Sequence, residues 1–144
     1  MDNAKTDQYS KVIDSIELED IKLRRMSCST YDYKEGNQLN VNVAADFELE
    51  KLDSEYLRAT ANFTVNVHNQ ANEEFSLFTI DCSFLLEYKL KTELAEIDKD
   101  VIQQFVERNV PVNSWPYARE FISSMTVRMG LPPLVIGTYK IGAF

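Results

Sequence analysis

The sequence predicts an α+β fold: a four-stranded antiparallel meander sheet followed by two helices on one face of the sheet. In the first two-thirds of the chain, apolar and polar residues alternate with a period of two, as expected for strands with one buried face. In the last third the apolar residues recur at helical spacing instead. The connections between the alternating runs are mostly short and polar, and short loops join antiparallel neighbours.

Four alternating runs predict the four strands. A weaker run covers residues 15–27, two regular runs cover residues 39–49 and 57–67, and the last run covers residues 75–90. The loops are then residues 29–38, 51–54 and 69–73. No repeat or internal boundary interrupts this order, so we expect one domain over residues 1–144, with disorder over residues 1–11.

Two helical patterns follow the strands. Asp98 is a suitable cap for a helix that ends near Asn109, before Pro111. A second helix is predicted from Pro116 to Gly130, since proline suits a first helical turn and glycine suits the position after the last turn.

Composition excludes several classes of function. The formal charge is −8, and no stripe of Lys or Arg is available to neutralise a nucleic-acid backbone. No apolar run approaches the roughly 20 residues of a membrane span, and no apolar segment marks a secretory signal, so a cytoplasmic protein is expected. Cys28 and Cys82 are the only cysteines and are predicted to be free thiols. With His68 as the only histidine, no metal site, cofactor or catalytic group is predicted.

The predicted sheet is larger than the helices that cover it. Four strands of eleven residues present an apolar face on the order of 700 Å². Two helices of about 11 and 14 residues can cover only about 400 Å² of this face. The remainder, a few hundred Å², is near the most that a monomer leaves exposed, which favours self-association or a binding groove.

The segment 115–134 concentrates methionine and aromatic residues. Such side chains form a soft surface that accepts varied apolar partners. The alternative, that they are ordinary helix core, stays open at this point. The residues are Trp115, Tyr117, Phe121, Met125, Met129 and Leu131.

The same segment resembles the signature of the SecB protein-export chaperone family. The matching residues are Pro116-Tyr117-Ala118-Arg119-Glu120, then Ile122-Ser123-Ser124-Met125, then Arg128-Met129-Gly130-Leu131-Pro132-Pro133-Leu134. The resemblance is specific over about twenty residues, and the family fold of four antiparallel strands followed by two helices agrees with the predicted order.

The resemblance implies an ATP-independent chaperone, without enzymatic activity or cofactor, that holds unfolded polypeptides and preproteins in apolar grooves for export through the motor SecA. It also implies a homotetramer built as a dimer of dimers, in the cytoplasm. By the resemblance, the client-binding groove comprises Trp115, Tyr117, Phe121 and Met125, with Phe78, Phe84 and Tyr88 on the preceding strand. Asp20 and Asp81 correspond to the acidic residues that dock the motor.

Two features depart from the family pattern and keep alternatives open. Arg24 and Arg25 stand where family members commonly have an acidic residue, and the sequence stops at Phe144 without the acidic or helical tail that many members use to contact SecA. SecB-like proteins that serve one antitoxin of a toxin–antitoxin locus provide the alternative function. An enzyme or small-ligand binder that uses His68, or a purely structural interaction module, remains a further hypothesis.

Overall fold

A computed structural model describes residues 3–31, 39–69, 72–91, 97–137 and 139. Its elements are α1 (Asn3–Ser15), β1 (Ile16–Thr30), β2 (Leu39–Leu52), β3 (Tyr56–Asn69), β4 (Asn72–Leu90) and α2 (Lys99–Arg128). The predicted α+β class, with four antiparallel strands and two helices, is confirmed. The predicted loop over residues 29–38 lies mostly outside the described residues.

The strands form one sheet in the order β1-β4-β3-β2. β2, β3 and β4 follow one another as a meander, while β1 pairs with β4, so β1 and β2 are the two edges. The turn between β2 and β3 is fixed by Asp53, whose Oδ1 accepts the N–H groups of Glu55 at 2.8 Å and Tyr56 at 2.7 Å. These two backbone hydrogen bonds stabilise the carboxylate and lower the pKa of Asp53.

The two helices predicted for the last third are a single helix, α2, of 30 residues. The predicted interruption between Pro111 and Pro116 is therefore wrong. A proline inside a helix costs about 3 kcal/mol, because it removes an N–H donor and its ring crowds the preceding turn. A row of fully buried residues, spaced four apart, continues past both prolines, and its burial outweighs that cost. The row consists of Val106, Val110, Ser114, Ala118, Ile122 and Thr126.

The other helix, α1, includes residues 3–11, for which the sequence predicts disorder. Polar contacts rather than an apolar period hold α1, which is why the sequence pattern did not indicate a helix. The Tyr9 hydroxyl donates to Asn109 Oδ1 at 2.7 Å, and Gln8 Oε1 accepts the Asp98 N–H at 3.1 Å. Val12 is fully buried. The predicted disorder is corrected for residues 3–11.

The chain divides into two compact units. The first unit consists of Met1–Lys22, Phe47–Ala61 and Phe84–Ser114. In its core the Tyr88 ring meets the Phe105 ring edge-on at 5.1 Å, and the Tyr88 hydroxyl donates to Asn113 Oδ1 at 2.8 Å. Arg58 and Glu87 form an ion pair in the same unit, with Nε and Oε1 3.4 Å apart.

The second unit consists of Leu23–Asp46, Asn62–Ser83 and Trp115–Phe144. Phe63 and Trp115 form the centre of its core, with ring centroids 5.9 Å apart. The single domain expected over residues 1–144 stays a prediction.

A Schellman motif ends α2 in the second unit. Gly130 has a φ of 81°, its N–H donates to the Val127 carbonyl at 3.0 Å, and the Leu131 N–H donates to the Thr126 carbonyl at 3.0 Å. Both bonds satisfy carbonyls that the helix leaves without partners. The turn reverses the chain, so the residues after Gly130 run back along the helix.

Substituting Gly130 with alanine is expected to lower the free energy of unfolding by about 1 kcal/mol, because a Cβ disfavours positive φ. No atom lies within 4 Å of the added Cβ, so the effect is backbone strain alone. Urea unfolding measures it. Gly137→Ala is the matched control, since Gly137 has equal space and no positive φ. Equal destabilisation by the two substitutions would contradict this reading of the motif.

Candidate functional site

An apolar groove of about 470 Å³ lies within the second unit. Its walls come from the end of β1, the start of β2, the end of β3, β4, and the turn after α2. All the described lining residues are uncharged. They are Thr30, Tyr31, Leu39, Val41, Val67, Leu77, Phe78, Met129, Gly130, Leu131, Pro132, Pro133 and Leu134.

The position of β2 at the sheet edge makes this groove accessible. Val67 and Phe78 are buried and form its base, whereas Val41 on β2 is 44% exposed and Leu39 is 38% exposed. Pro132 and Pro133 carry no N–H, so the wall after α2 presents few hydrogen-bond donors. A surface of this kind binds apolar chain segments through area removed from water rather than through directional bonds.

Of the seven predicted groove residues, Phe78 lines this groove and the other six do not. In the second unit, Trp115 and Phe121 are buried, Met125 is half-buried and Tyr117 is 47% exposed. In the first unit, Phe84 and Tyr88 are core residues, and burial strongly raises the pKa of the Tyr88 phenol. Phe78 is thus the predicted residue that lines this groove, and client binding by the other six stays a prediction.

Trp115 is covered by the chain's own C-terminal segment. We call residues 131–137 the strap. The indole Nε1–H of Trp115 donates to the Gly137 carbonyl at 2.7 Å. The Tyr139 ring lies 5.5 Å from the Trp115 ring, and Ile136 of the strap is buried. The Leu134 N–H donates to Thr126 Oγ1 at 2.9 Å, which fixes the strap to α2.

The two predicted motor-docking carboxylates lie in different units. Asp20, in the first unit, is half exposed and lies 3.6 Å from the Lys22 ammonium. Asp81, in the second unit, is exposed and accepts the Thr64 hydroxyl at 2.9 Å. Arg24 and Arg25 are exposed on β1.

Most of the groove was missed by sequence reasoning. Leu39, Val41 and Leu77 belong to recognised alternating runs, but alternation does not reveal which strand lies at an edge. The signal that did point to a groove was the excess of sheet area over helix area. Pro132 and Pro133 cannot continue a helix, and in the structure they form a wall of the groove.

The described residues hold no cluster of three His, Cys, Asp or Glu side chains that could bind a metal ion. His68 lies in β3 and is buried. Both cysteines are free thiols, as predicted; Cys82 is buried and Cys28 half-buried. No helix among the described residues has the length and hydropathy needed to cross a membrane.

Comparison with known proteins gives the family. Residues 5–141 match the SecB family, preprotein translocase subunit SecB, and the chain therefore belongs to that family. The fold is similar to that of a SecB-like chaperone from Mycobacterium tuberculosis, Rv1957, solved in complex with a ChAD peptide from the antitoxin HigA1 (Rv1956). That similarity has a TM-score of 0.78 at 18% identity and covers 94% of this chain and 99% of that one.

A more distant structural similarity is to a protein of unknown function from Streptococcus agalactiae. It has a TM-score of 0.47 at 11% identity and covers 85% of this chain and 96% of that one. No curated protein sequence matches the chain.

Proposed function

We propose that this protein is an ATP-independent chaperone that holds unfolded polypeptide segments, without catalysis and without a cofactor. The uncharged apolar groove of the second unit is the observation that supports this proposal most directly. A folded client buries its apolar residues, so a groove that gains free energy only by covering apolar surface selects unfolded chains. The lack of directional bonding also makes the binding tolerant of client sequence.

We propose protein export through SecA, from the cytoplasm, as the destination of the clients. Membership of the preprotein translocase family supports this proposal. Asp20 and Asp81 are exposed enough to meet a partner, with Asp20 half exposed beside Lys22. They are the docking residues in this proposal.

The alternative is a chaperone dedicated to one antitoxin. It is favoured by the fold shared with Rv1957, whose structure contains an antitoxin peptide. The exposed Arg24 and Arg25 also favour it, because they add positive charge where SecA docking is proposed to need negative charge. Binding assays with purified SecA and with the antitoxin of any neighbouring toxin–antitoxin locus distinguish the two destinations.

We further propose that the chain assembles as a homotetramer, a dimer of dimers. The charge order along the edge strand β1 supports self-association. The segment 17–20 carries Glu17, Glu19 and Asp20, and the segment 22–25 carries Lys22, Arg24 and Arg25. Two copies of β1 paired antiparallel about a two-fold axis place each acidic segment opposite a basic segment.

The test is suppression of aggregation in the absence of ATP. A slow-folding polypeptide diluted from denaturant should stay soluble when one tetramer per client is present, and the purified protein should have a mass of about 66 kDa, four times the 16.6 kDa chain. Aggregation that proceeds unchanged beside folded protein would refute the holding function. A monomeric mass would refute the assembly alone.

A further inference from the structure

The strap has the physical character of a bound client. It is apolar, and alternate side chains face the protein: Leu134 is half-buried, Val135 is exposed and Ile136 is buried. Its backbone also makes hydrogen bonds to side chains of α2 at both ends, through Leu134 and Gly137. An extended peptide bound in a groove makes contacts of the same kind.

The strap is long enough to run back along α2 from Gly130 to the Trp115 side chain. From Trp115 to Gly130, α2 rises about 22 Å, at roughly 1.5 Å per residue. The seven residues 131–137 span about 23 Å, at roughly 3.3 Å per residue. Because the Leu134 N–H is bonded to Thr126 and the Gly137 carbonyl to the Trp115 indole, the strap runs antiparallel to the helix.

The buried Ile136 side chain and hydrogen bonds to α2 hold the strap in this place. Its side-chain anchors are the Thr126 hydroxyl and the Trp115 indole, each with one hydrogen bond to the strap backbone. A typical intramolecular hydrogen bond changes an equilibrium by about fivefold. An extended segment of another chain can offer the same carbonyl and the same inward apolar side chains, so it can make the same contacts with α2.

We propose that the strap occupies a second polypeptide-binding subsite, centred on Trp115, and that a client segment replaces it there. The chemistry of the subsite defines the ligand. It is an extended segment with two apolar residues at positions i and i+2, followed by a small residue whose carbonyl accepts the indole N–H. This subsite rests on the holding function proposed above. Because strap residues 131–134 also line the groove, the subsite adjoins the groove.

The test uses the full-length protein and two labelled Trp-free 20-residue peptides of equal composition. One peptide contains Leu-x-Ile-Gly, and the other is scrambled so that no two apolar residues are two apart. Hydrogen exchange followed by mass spectrometry reports on the amides of residues 134–137, which include the Leu134 amide held by Thr126. The patterned peptide is expected to accelerate their exchange at the concentration at which it saturates, and the scrambled peptide is not.

The substitution Thr126→Val supplies the independent measurement. It keeps the shape of the buried side chain and removes the acceptor for the Leu134 N–H. The variant should bind the patterned peptide about fivefold more tightly, because it weakens the internal competitor. Val135→Ala is the matched control. Val135 lies in the strap but is exposed, so the affinity of this variant for the patterned peptide should equal that of the wild-type protein.

The outcomes separate the two proposals. Peptide binding that leaves the strap amides unchanged or slows their exchange overturns the second subsite and leaves the holding function in place. Unchanged or weaker binding by Thr126→Val also overturns it. If neither peptide binds the wild-type protein or the variant, and the protein suppresses no aggregation, both proposals are wrong.

Discussion

Replacing Val41 with aspartate is expected to weaken client binding about 30- to 150-fold. Val41 lines the groove and is 44% exposed in the free chain, so a carboxylate there remains hydrated until a client arrives. A bound apolar segment would cover that carboxylate without offering it a partner. Burying an unpaired polar or charged group costs about 2–3 kcal/mol or more, which converts to this loss of affinity.

Leu49→Asp provides the matched control for Val41→Asp. Leu49 lies on the same strand, belongs to the same alternating run and is 37% exposed, but it is not part of the groove. Fluorescence anisotropy with a labelled unfolded peptide gives both dissociation constants. Circular dichroism spectra establish that the two variants fold alike. If the two aspartates weaken binding equally, the groove is not the site where clients bind.

The Cys82 thiol is expected to react with iodoacetamide at pH 8 at least about a thousandfold more slowly than an ordinary cysteine. Burial, and to a smaller extent the nearby Cys28 and Asp81, raises the pKa of Cys82 to about 12. Only the thiolate is nucleophilic, and raising a thiol pKa from 9 to about 12 reduces the thiolate population about a thousandfold at pH 8. Mass spectrometry of the Cys28→Ser variant measures the Cys82 rate without interference from the other thiol.

The same shift makes the fold sensitive to alkali. The folded pKa of Cys82 lies above its unfolded value of 9.0, so the stability that the protonated thiol contributes is complete below pH 9. It is lost progressively as the pH rises towards about 12. The raised pKa of Tyr88 acts in the same direction above pH 10. Urea midpoints that do not fall between pH 8 and pH 11, or rapid labelling of folded Cys82, would contradict the burial of these groups.

The strands could be predicted from the sequence because each has one buried and one wet face. On β3 the residues from Leu57 to Val67 alternate between buried and more exposed positions, as their period of two indicates. A period of two in hydrophobicity reflects one buried face, so a strand can be recognised without knowing which strands lie beside it. The number of strands and the fold class follow from it.

Features that depend on contacts between distant parts of the chain could not be predicted in this way. Proline is a local stop signal, yet Pro111 and Pro116 lie inside α2 because buried residues continue on both sides of them. α1 is held by Tyr9 and Gln8 through partners about 90 to 100 positions away. The aromatic and methionine content left two interpretations of Trp115 and Phe121 open, a binding surface or helix core, and both side chains are buried.

The pairing of β1 with β4 has a consequence for how the protein folds. The Lys91 N–H donates to the Ser15 carbonyl at 2.7 Å, a contact that closes a loop of about 76 residues. The β2–β3 and β3–β4 hairpins close much shorter loops, so contact order places them first and β1 last. Until β1 pairs with β4, one edge of β4 is left unpaired, and β4 is the longest of the four described strands. A chaperone of this architecture is itself prone to aggregate during its own synthesis, and its folding yield should depend on how quickly the N-terminal segment is recruited.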